Sequence, residues 1–249
     1  MVKKEVRFFA LTRECTTDWS VGRRVLRAFE EAGHQFVPET LYQWEDKIGI
    51  YKSVEQAKPY WAQVAQMRTN GSLLEFPIGL RWKRSRSVKY EAEVSHTGRN
   101  SQGNIIEGRL NIYADANGKA DWRTLGTRLS EAINSNVAMM HCFASLDNQA
   151  CRSGTPESDF RSFVVVNGQI PNIGWGMFFG GDFSKEVDQN AVSAAGFPIE
   201  TIGNGYWVQV TEDINDVVHD FAMFSKRRAE LKSLFREDLF LIKGESEIP

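Results

Sequence analysis

The sequence predicts an α+β fold in which helices flank a mixed or antiparallel β-sheet. Apolar residues recur at helical spacing after Asp18 and Asp121, whereas Val88 to Val94 alternate apolar with charged side chains, as in a half-buried strand. The chain has 249 residues, of which 42% are hydrophobic, and it includes 16 Phe, 7 Trp and 6 Tyr. This composition can fill a globular core and excludes intrinsic disorder.

Each predicted helix begins at or near a residue that can cap a helix N-terminus. The predicted starts are Asp18, Ser53, Asp121, Ser184 and Asp216. The stripe after Asp121 is predicted to continue in helical register from Trp122 to Met140, and the last helix is predicted over 216–236.

The predicted strands lie between these helices, where apolar residues alternate or form short blocks. They cover 5–11, 72–80, 88–94, 105–113, 160–166, 174–179 and 206–210. A polar loop over 96–103 separates two of them, so 88–94 and 105–113 are predicted to form a long hairpin.

The chain lacks a linker rich in Pro, Gly and Ser, which predicts a single domain over 1–249. The order of elements indicates two similar β-α-β-β-α-β-β halves at 4–95 and 105–210, followed by the C-terminal helix. No residue-level identity accompanies this pseudo-repeat. If the halves are related, we expect them to share one continuous sheet.

Cysteine usage and hydropathy predict a cytoplasmic protein. The cysteines are Cys15, Cys142 and Cys151, an odd number without the spacing of a disulfide framework. No run of 18 apolar residues exists that could span a membrane. Residues 1–13 are interrupted by charges and predict a strand rather than a signal peptide.

Acidic residues are concentrated in one segment, although the net charge is only −2. Between Asp182 and Asp220 there are eight carboxylates and one basic residue, Lys185. Such a cluster repels nucleic acid and favours a basic partner. The alternative interpretation is a solvated face that serves solubility.

Two groups of residues contain residue types that occur in catalytic or metal-binding sites. His141 and Cys142, with Cys151 further along the chain, include metal-binding residue types but lack the paired spacing of zinc ligands. Glu91 and Glu93, with Lys89, match the residue types of a nuclease site, yet their alternation favours the solvent face of a hairpin. We therefore predict no catalytic residue, metal or cofactor.

A basic cluster could bind nucleic acid, because aromatic rings between basic residues can stack on bases. It consists of Arg81, Lys83, Arg84 and Arg86 around Trp82. A solvated connection between strands is the favoured interpretation. No phosphate-binding loop or nucleophile-elbow motif is present.

Two segments carry a resemblance to a known family. Residues 170–175 read IPNIGW and residues 203–210 read GNGYWVQV, after an earlier strand at 110–113 that leads into the Trp122 helix. This order resembles bacterial immunity proteins of polymorphic toxin and type VI secretion systems, namely the immunity protein 52 family and the related immunity proteins of VRR-NUC effectors. The resemblance covers about 105–218, with weaker support at Trp44 and Trp61, and the segment 211–216 is shorter than in those proteins.

The resemblance implies an inhibitor that binds a cognate toxin, often a nuclease, and acts by protein–protein contact without binding nucleic acid or membrane. Six carboxylates are predicted to face the basic cleft of that toxin: Asp182, Glu186, Asp188, Glu212, Asp213 and Asp216. Trp175 and Trp207 are predicted as anchors if either is exposed. An enzyme of unrecognised type and a nucleic-acid-binding module remain the alternatives.

Overall fold

A computed structural model describes residues 4–69, 71–144 and 154–245. The strands are β1 (Glu5–Thr12), β2 (Thr40–Gln43), β3 (Asp46–Ile50), β4 (Ala62–Thr69), β5 (Ser72–Arg84), β6 (Tyr90–Ser95), β7 (Gly98–Arg99), β8 (Ile105–Ile106), β9 (Gly108–Asp115), β10 (Val137–Phe143), β11 (Gly176–Phe179), β12 (Ile199–Ile202) and β13 (Gly205–Gln209). The helices are α1 (Trp19–Glu31), α2 (Val54–Ala57), α3 (Trp122–Ala132), α4 (Pro156–Ser162), α5 (Gln189–Ala194), α6 (Asp216–His219) and α7 (Phe221–Lys232). Within the described ranges, every helix is too short or too polar to cross a bilayer.

Eleven of the described strands form one sheet with the order β12-β13-β11-β10-β1-β9-β6-β5-β2-β3, in which β4 also pairs with β5, while β7 and β8 pair with each other in a separate two-stranded sheet. All of these strand pairs are antiparallel. Several helices flank the sheet. The predicted α+β class is therefore confirmed, and the sheet is antiparallel.

Strand β1, at the centre of the sheet, pairs with two strands from later parts of the chain, β10 and β9. Phe8 on β1 lies opposite Met140 on β10 and opposite Ile112 on β9. Strand β9 in turn pairs with β6. Strand β1 thus lies between two strands of the later sequence, and β9 links β1 to the earlier strands.

One face of the sheet is covered by α1 and α3, which also pack against each other. Phe29 of α1 packs against Trp82 and Tyr90, with ring centroids 5.4 Å apart in both pairs. Both helices begin as predicted, since Asp18 accepts a hydrogen bond from the Ser20 amide and Asp121 accepts one from the Thr124 amide.

The other face is covered over only part of the sheet. Strands β10, β11 and β13, here called the covered half, are buried along almost their whole length. His141 of β10 lies against Phe160 of α4 and Phe224 of α7, so both helices cover this face. Burial on both faces explains the continuous apolar run of β10.

Strands β5, β6 and β9, here called the open half, expose the same face. Their residues alternate between buried and partly exposed positions, apart from the distal part of β5, which is exposed. The helices over this face end at β9. Phe9 of β1 stacks on Phe163, which follows α4, and Arg109 of β9 donates hydrogen bonds to the Ser162 and Phe163 carbonyls. Burial lowers the pKa of Arg109.

Several boundaries differ from the predictions. The stripe predicted to be helical through Met140 ends at α3, because Asn134 takes a left-handed conformation (φ 48°) and residues 137–143 form β10. The strand predicted at 160–166 is instead the end of helix α4, which Thr155 caps and Pro156 begins, followed by non-helical residues 163–166. The helix predicted over 216–236 is two helices that meet at Asp220.

The predicted halves match only in part: β1-α1-β2-β3-α2-β4-β5 has the same order as β9-α3-β10-β11-α5-β12-β13, but β6 in the first half and β8 and α4 in the second have no counterpart. Their places in the sheet differ, because β10 lies beside the centre whereas β2 lies near the edge. The pseudo-repeat, like the single domain, stays a prediction.

Candidate protein-binding site

The first part of the acidic segment follows β11 in a 3₁₀ turn over Gly181–Glu186. Asp182 pairs with Arg13 at 3.0 Å, and Glu186 pairs with Arg236 at 2.9 Å. The hydrogen bonds that Arg236 donates to the carboxylates of Asp238 and Glu186 raise the pKa of its guanidinium. Each of the two carboxylates therefore faces a cation of its own chain, which reduces the charge available to a partner.

Asp188 has a structural role at the start of α5. Its side chain accepts hydrogen bonds from the amides of Asn190 and Ala191, both at 3.0 Å. These bonds satisfy amides that have no partner within the helix. The capping of α5 therefore accounts for an acidic residue at position 188 without any binding partner.

The second part of the acidic segment follows β13. Asp213 accepts from the amide and the side-chain Nδ2 of Asn215, at 2.9 and 2.7 Å, and so holds the turn that leads into α6. Glu212 is exposed and Asp216 half-buried, and neither side chain pairs with any described residue. Of the six predicted carboxylates, Glu212 and Asp216 are therefore the two whose side chains have no partner among the described residues.

The two parts lie at opposite ends of the sheet. Asp182 is joined through Arg13 to Glu107, which directly precedes β9. Asn215 lies beside Gly118, beyond the other end of β9. The eight residues of β9 span roughly 27 Å at about 3.4 Å per residue. The six predicted carboxylates thus do not form one continuous patch.

Trp175 and Trp207 lie in the core, with exposures of 2% and 1%. The Trp207 ring packs directly on Gly126 of α3 and Gly176 of β11, where any side chain would collide with it. The indole N–H of each tryptophan has no hydrogen-bond partner among the described residues. The condition for their role as anchors, exposure at the surface, is not met.

Glu91 and Glu93 lie on the exposed face of the open half, as their alternation predicted. Glu91 pairs with Arg81 and, at 2.9 Å, with Lys83 on the neighbouring strand. Glu93 accepts a hydrogen bond from Asn111 at 3.0 Å. Among the described residues, no group of three or more His, Cys, Asp or Glu could hold a metal ion.

His141 and Cys142 lie on β10, not on a helix, so they face opposite sides of the sheet. His141 is buried, and its Nδ1 accepts a hydrogen bond from the Trp175 amide at 3.1 Å. The imidazole thus ties β10 to the segment before β11. Cys151, the third member of the predicted group, lies outside the described residues.

The basic cluster cannot present its aromatic ring to a nucleic acid, because Trp82 is fully buried. Arg84 is buried as well and donates to the Val37 and Arg86 carbonyls. Residues 81–84 belong to β5 rather than to a connection, and among the basic side chains Arg86 is the most exposed.

One exposed apolar feature was not predicted from the sequence. Strands β4 and β5 extend as a ribbon on which four large apolar side chains are about half exposed: Val64, Met67, Leu73 and Leu74. The dipeptide Asn70-Gly71 lies between the two strands, and this pair is a strong hairpin signal. It could have located the hairpin, although not its exposure.

No family model matches the sequence, and no curated protein matches it either. A solved type VI secretion system (T6SS) protein of Pseudomonas aeruginosa has a similar fold, with a TM-score of 0.58. The match covers 96% of this chain and 77% of that chain, at 9% sequence identity. At this identity the likeness shows the fold alone.

Proposed function

We propose that this chain is an immunity protein of a type VI secretion system, which binds a nuclease toxin in the cytoplasm and neutralises it. The observation that carries the proposal is the fold likeness to a T6SS protein over 96% of the chain. The resemblance of the segments 170–175 and 203–210 to T6SS immunity proteins supports it from the sequence. The proposed activity is binding rather than catalysis.

The end of the sheet that carries Glu212, Asp213 and Asp216 is the proposed contact surface. A nuclease must present positive charge to the phosphates of its substrate, so an acidic surface can occupy the same cleft. Glu212 and Asp216 suit this role because no described residue neutralises them. Close charge pairs across an interface couple by about 1.5–7 kcal/mol in favourable cases.

The first experiment is coexpression of this chain with the toxin encoded beside it. Growth should be restored, and the two proteins should copurify as a stable complex. The absence of both protection and binding for every toxin of the locus would refute the proposed function.

The second experiment locates the surface. The double variant Glu212→Lys, Asp216→Lys should associate with the toxin more slowly and with less dependence on salt, because electrostatic steering is lost. Asp46→Lys, Glu237→Lys is the matched control, since both carboxylates are exposed and unpaired among the described residues. Equal association rates for both variants would place the interface elsewhere and leave the function intact.

A further inference from the structure

The ribbon of residues 62–69 and 72–79, here called the hairpin arm, extends beyond the rest of the sheet. Among the described strands, β4 pairs only with β5, and residues 72–79 of β5 pair only with β4. Its large apolar side chains Val64, Met67, Leu73 and Leu74 are 49–58% exposed. An isolated two-stranded hairpin is marginally stable in water, and an open strand edge is a template for another strand.

The two edges of the hairpin arm are not equivalent. Thr69 lies opposite Ser72, and two residues separate them in the chain. In a hairpin with a two-residue loop, the flanking pair is hydrogen-bonded, and hydrogen-bonded and non-hydrogen-bonded pairs alternate from there along the two strands. The residues of the non-hydrogen-bonded pairs point their N–H groups outward, away from the partner strand. On β5 the outward position at Pro77 has no N–H group, which blocks pairing. On β4 all outward positions keep their N–H groups: Val64, Gln66 and Arg68.

We propose that β4 pairs antiparallel with β4 of a second copy of this chain, across a two-fold axis at Gln66. Gln66 then faces its own counterpart, and Val64 faces Arg68 of the other copy in both directions. All three outward positions pair in this register, and no charged residue lies opposite a like charge. The edge is therefore complementary to itself, as a two-fold interface requires.

The faces of the resulting four-stranded sheet also favour a second copy of this chain as the partner. Ala65 and Met67, paired with Phe76 and Leu74, form an apolar surface on one side of the hairpin arm. Two copies join these surfaces into one. The single carboxylate of the arm, Glu75, accepts from Gln66 Nε2 at 2.7 Å, so the arm lacks the free acidic charge that a basic nuclease would select.

The root of the hairpin arm is held in place. β5 passes so close to β6 at Gly79 that a Cβ there would collide with the Val94 carbonyl oxygen. His96 Nε2 lies 2.7 Å from the Trp61 carbonyl oxygen and holds the start of β4. A fixed root lowers the conformational entropy lost on pairing.

Sedimentation velocity over a dilution series tests the proposal without the toxin, so its outcome is independent of the proposed function. The wild-type chain should show a dimer that dissociates on dilution. Gln66→Pro removes one outward N–H group while sparing the hydrogen bonds to β5, and the dimer should be lost. Gln66→Thr, which keeps the N–H group, should retain it. A wild-type chain that is monomeric throughout, or a folded Gln66→Pro dimer, overturns the proposal.

A cross-link provides a second test that does not depend on the folding of the proline variant. In a Cys15→Ser, Cys151→Ser background, Gln66→Cys should form a disulfide-linked dimer on mild oxidation. Directly opposed, hydrogen-bonded residues have Cα atoms about 5.5 Å apart, within disulfide range. Glu75→Cys on β5 is the matched control and should not cross-link. No linked dimer from Gln66→Cys, or equal linkage from both, overturns the proposal, as does a monomer whose arm contacts only the toxin.

Discussion

The covered half and the open half of the sheet share the same helical layer on one face but differ on the other. In the covered half, α4 and α7 pack over His141, and the strands are buried on both sides. In the open half, the same face carries Glu91, Glu93 and their cationic neighbours. The difference separates two tasks, because apolar burial stabilises the fold while the open half and its arm leave surface available for contact.

The comparison also shows why the buried strands of the covered half supply no side chain to the proposed contacts. Trp175 and Trp207 belong to a residue type that is enriched at binding hot spots, yet they fill the interior. Exposed apolar side chains occur instead at the distal end of β5 and on β4. A large exposed apolar patch is more informative about partners than the number of aromatic residues.

The largest expected effect comes from the core of the covered half. Trp207→Ala should lower the free energy of unfolding by about 3–5 kcal/mol, because it leaves a cavity between α3 and β11. Trp44→Ala is the control, because it removes the same side chain at an exposed position. Trp44 is 61% exposed, so its substitution should change the free energy of unfolding by at most about 0.5 kcal/mol. Urea denaturation measures both. Similar losses would mean that the two tryptophans are equally buried in solution.

The next effect concerns the close approach of β5 to β6 at Gly79 in the open half. Gly79→Ala should destabilise the fold by about 1–3 kcal/mol, because the added methyl group meets the Val94 carbonyl oxygen and the backbone must shift. Gly49→Ala, whose Cβ would meet no described atom within 4 Å, should be neutral or stabilising by about 0.4–1 kcal/mol. A neutral Gly79→Ala in the same denaturation assay would show that β5 does not approach β6 so closely.

A smaller effect is expected at the charged face of the open half. Glu91→Gln should cost about 0.2–1 kcal/mol at low salt, because Arg81 and Lys83 then face each other without a carboxylate between them. The loss should shrink at high ionic strength. Glu200→Gln removes the more exposed pair with Arg123 and should cost less. Equal, salt-independent losses would contradict an electrostatic origin.

The smallest effect is a change in pH dependence. Burial lowers the pKa of His96 below the ordinary value of about 6.5. Below that pH the unfolded chain binds more protons than the folded chain, so stability is lost as pH falls from about 6.5 towards the folded-state pKa. His96→Gln should remove this part of the loss. Unfolding measured from pH 7 to pH 5 tests it, and identical slopes for both proteins would contradict the shift.

Local signals in the sequence predicted much of the fold. The alternation of residues 88–94 located β6 and its exposed face, and Asp18 and Asp121 located α1 and α3. The helical stripe was wrongly predicted to continue to Met140, because β10 is buried on both faces and its sequence therefore shows no period of two. At residue 160 the Thr155-Pro156 helix start was the stronger signal.

The candidate site was less accessible to sequence reasoning. Asp182 and Asp213 are close in the chain, but the strands between them carry these residues to opposite ends of the sheet. Spacing alone does not reveal that separation, since it depends on which strands pair. The pairing of Glu186 with Arg236 depends on the same long-range geometry.

The central position of β1 has a consequence for folding during synthesis. This strand leaves the ribosome before both of its neighbours, β9 and β10, which belong to the later sequence. Its apolar residues and both of its backbone edges must therefore wait for most of the chain. High contact order of this kind slows folding and prolongs exposure to aggregation. We expect the nascent chain to depend on chaperones until β10 has emerged.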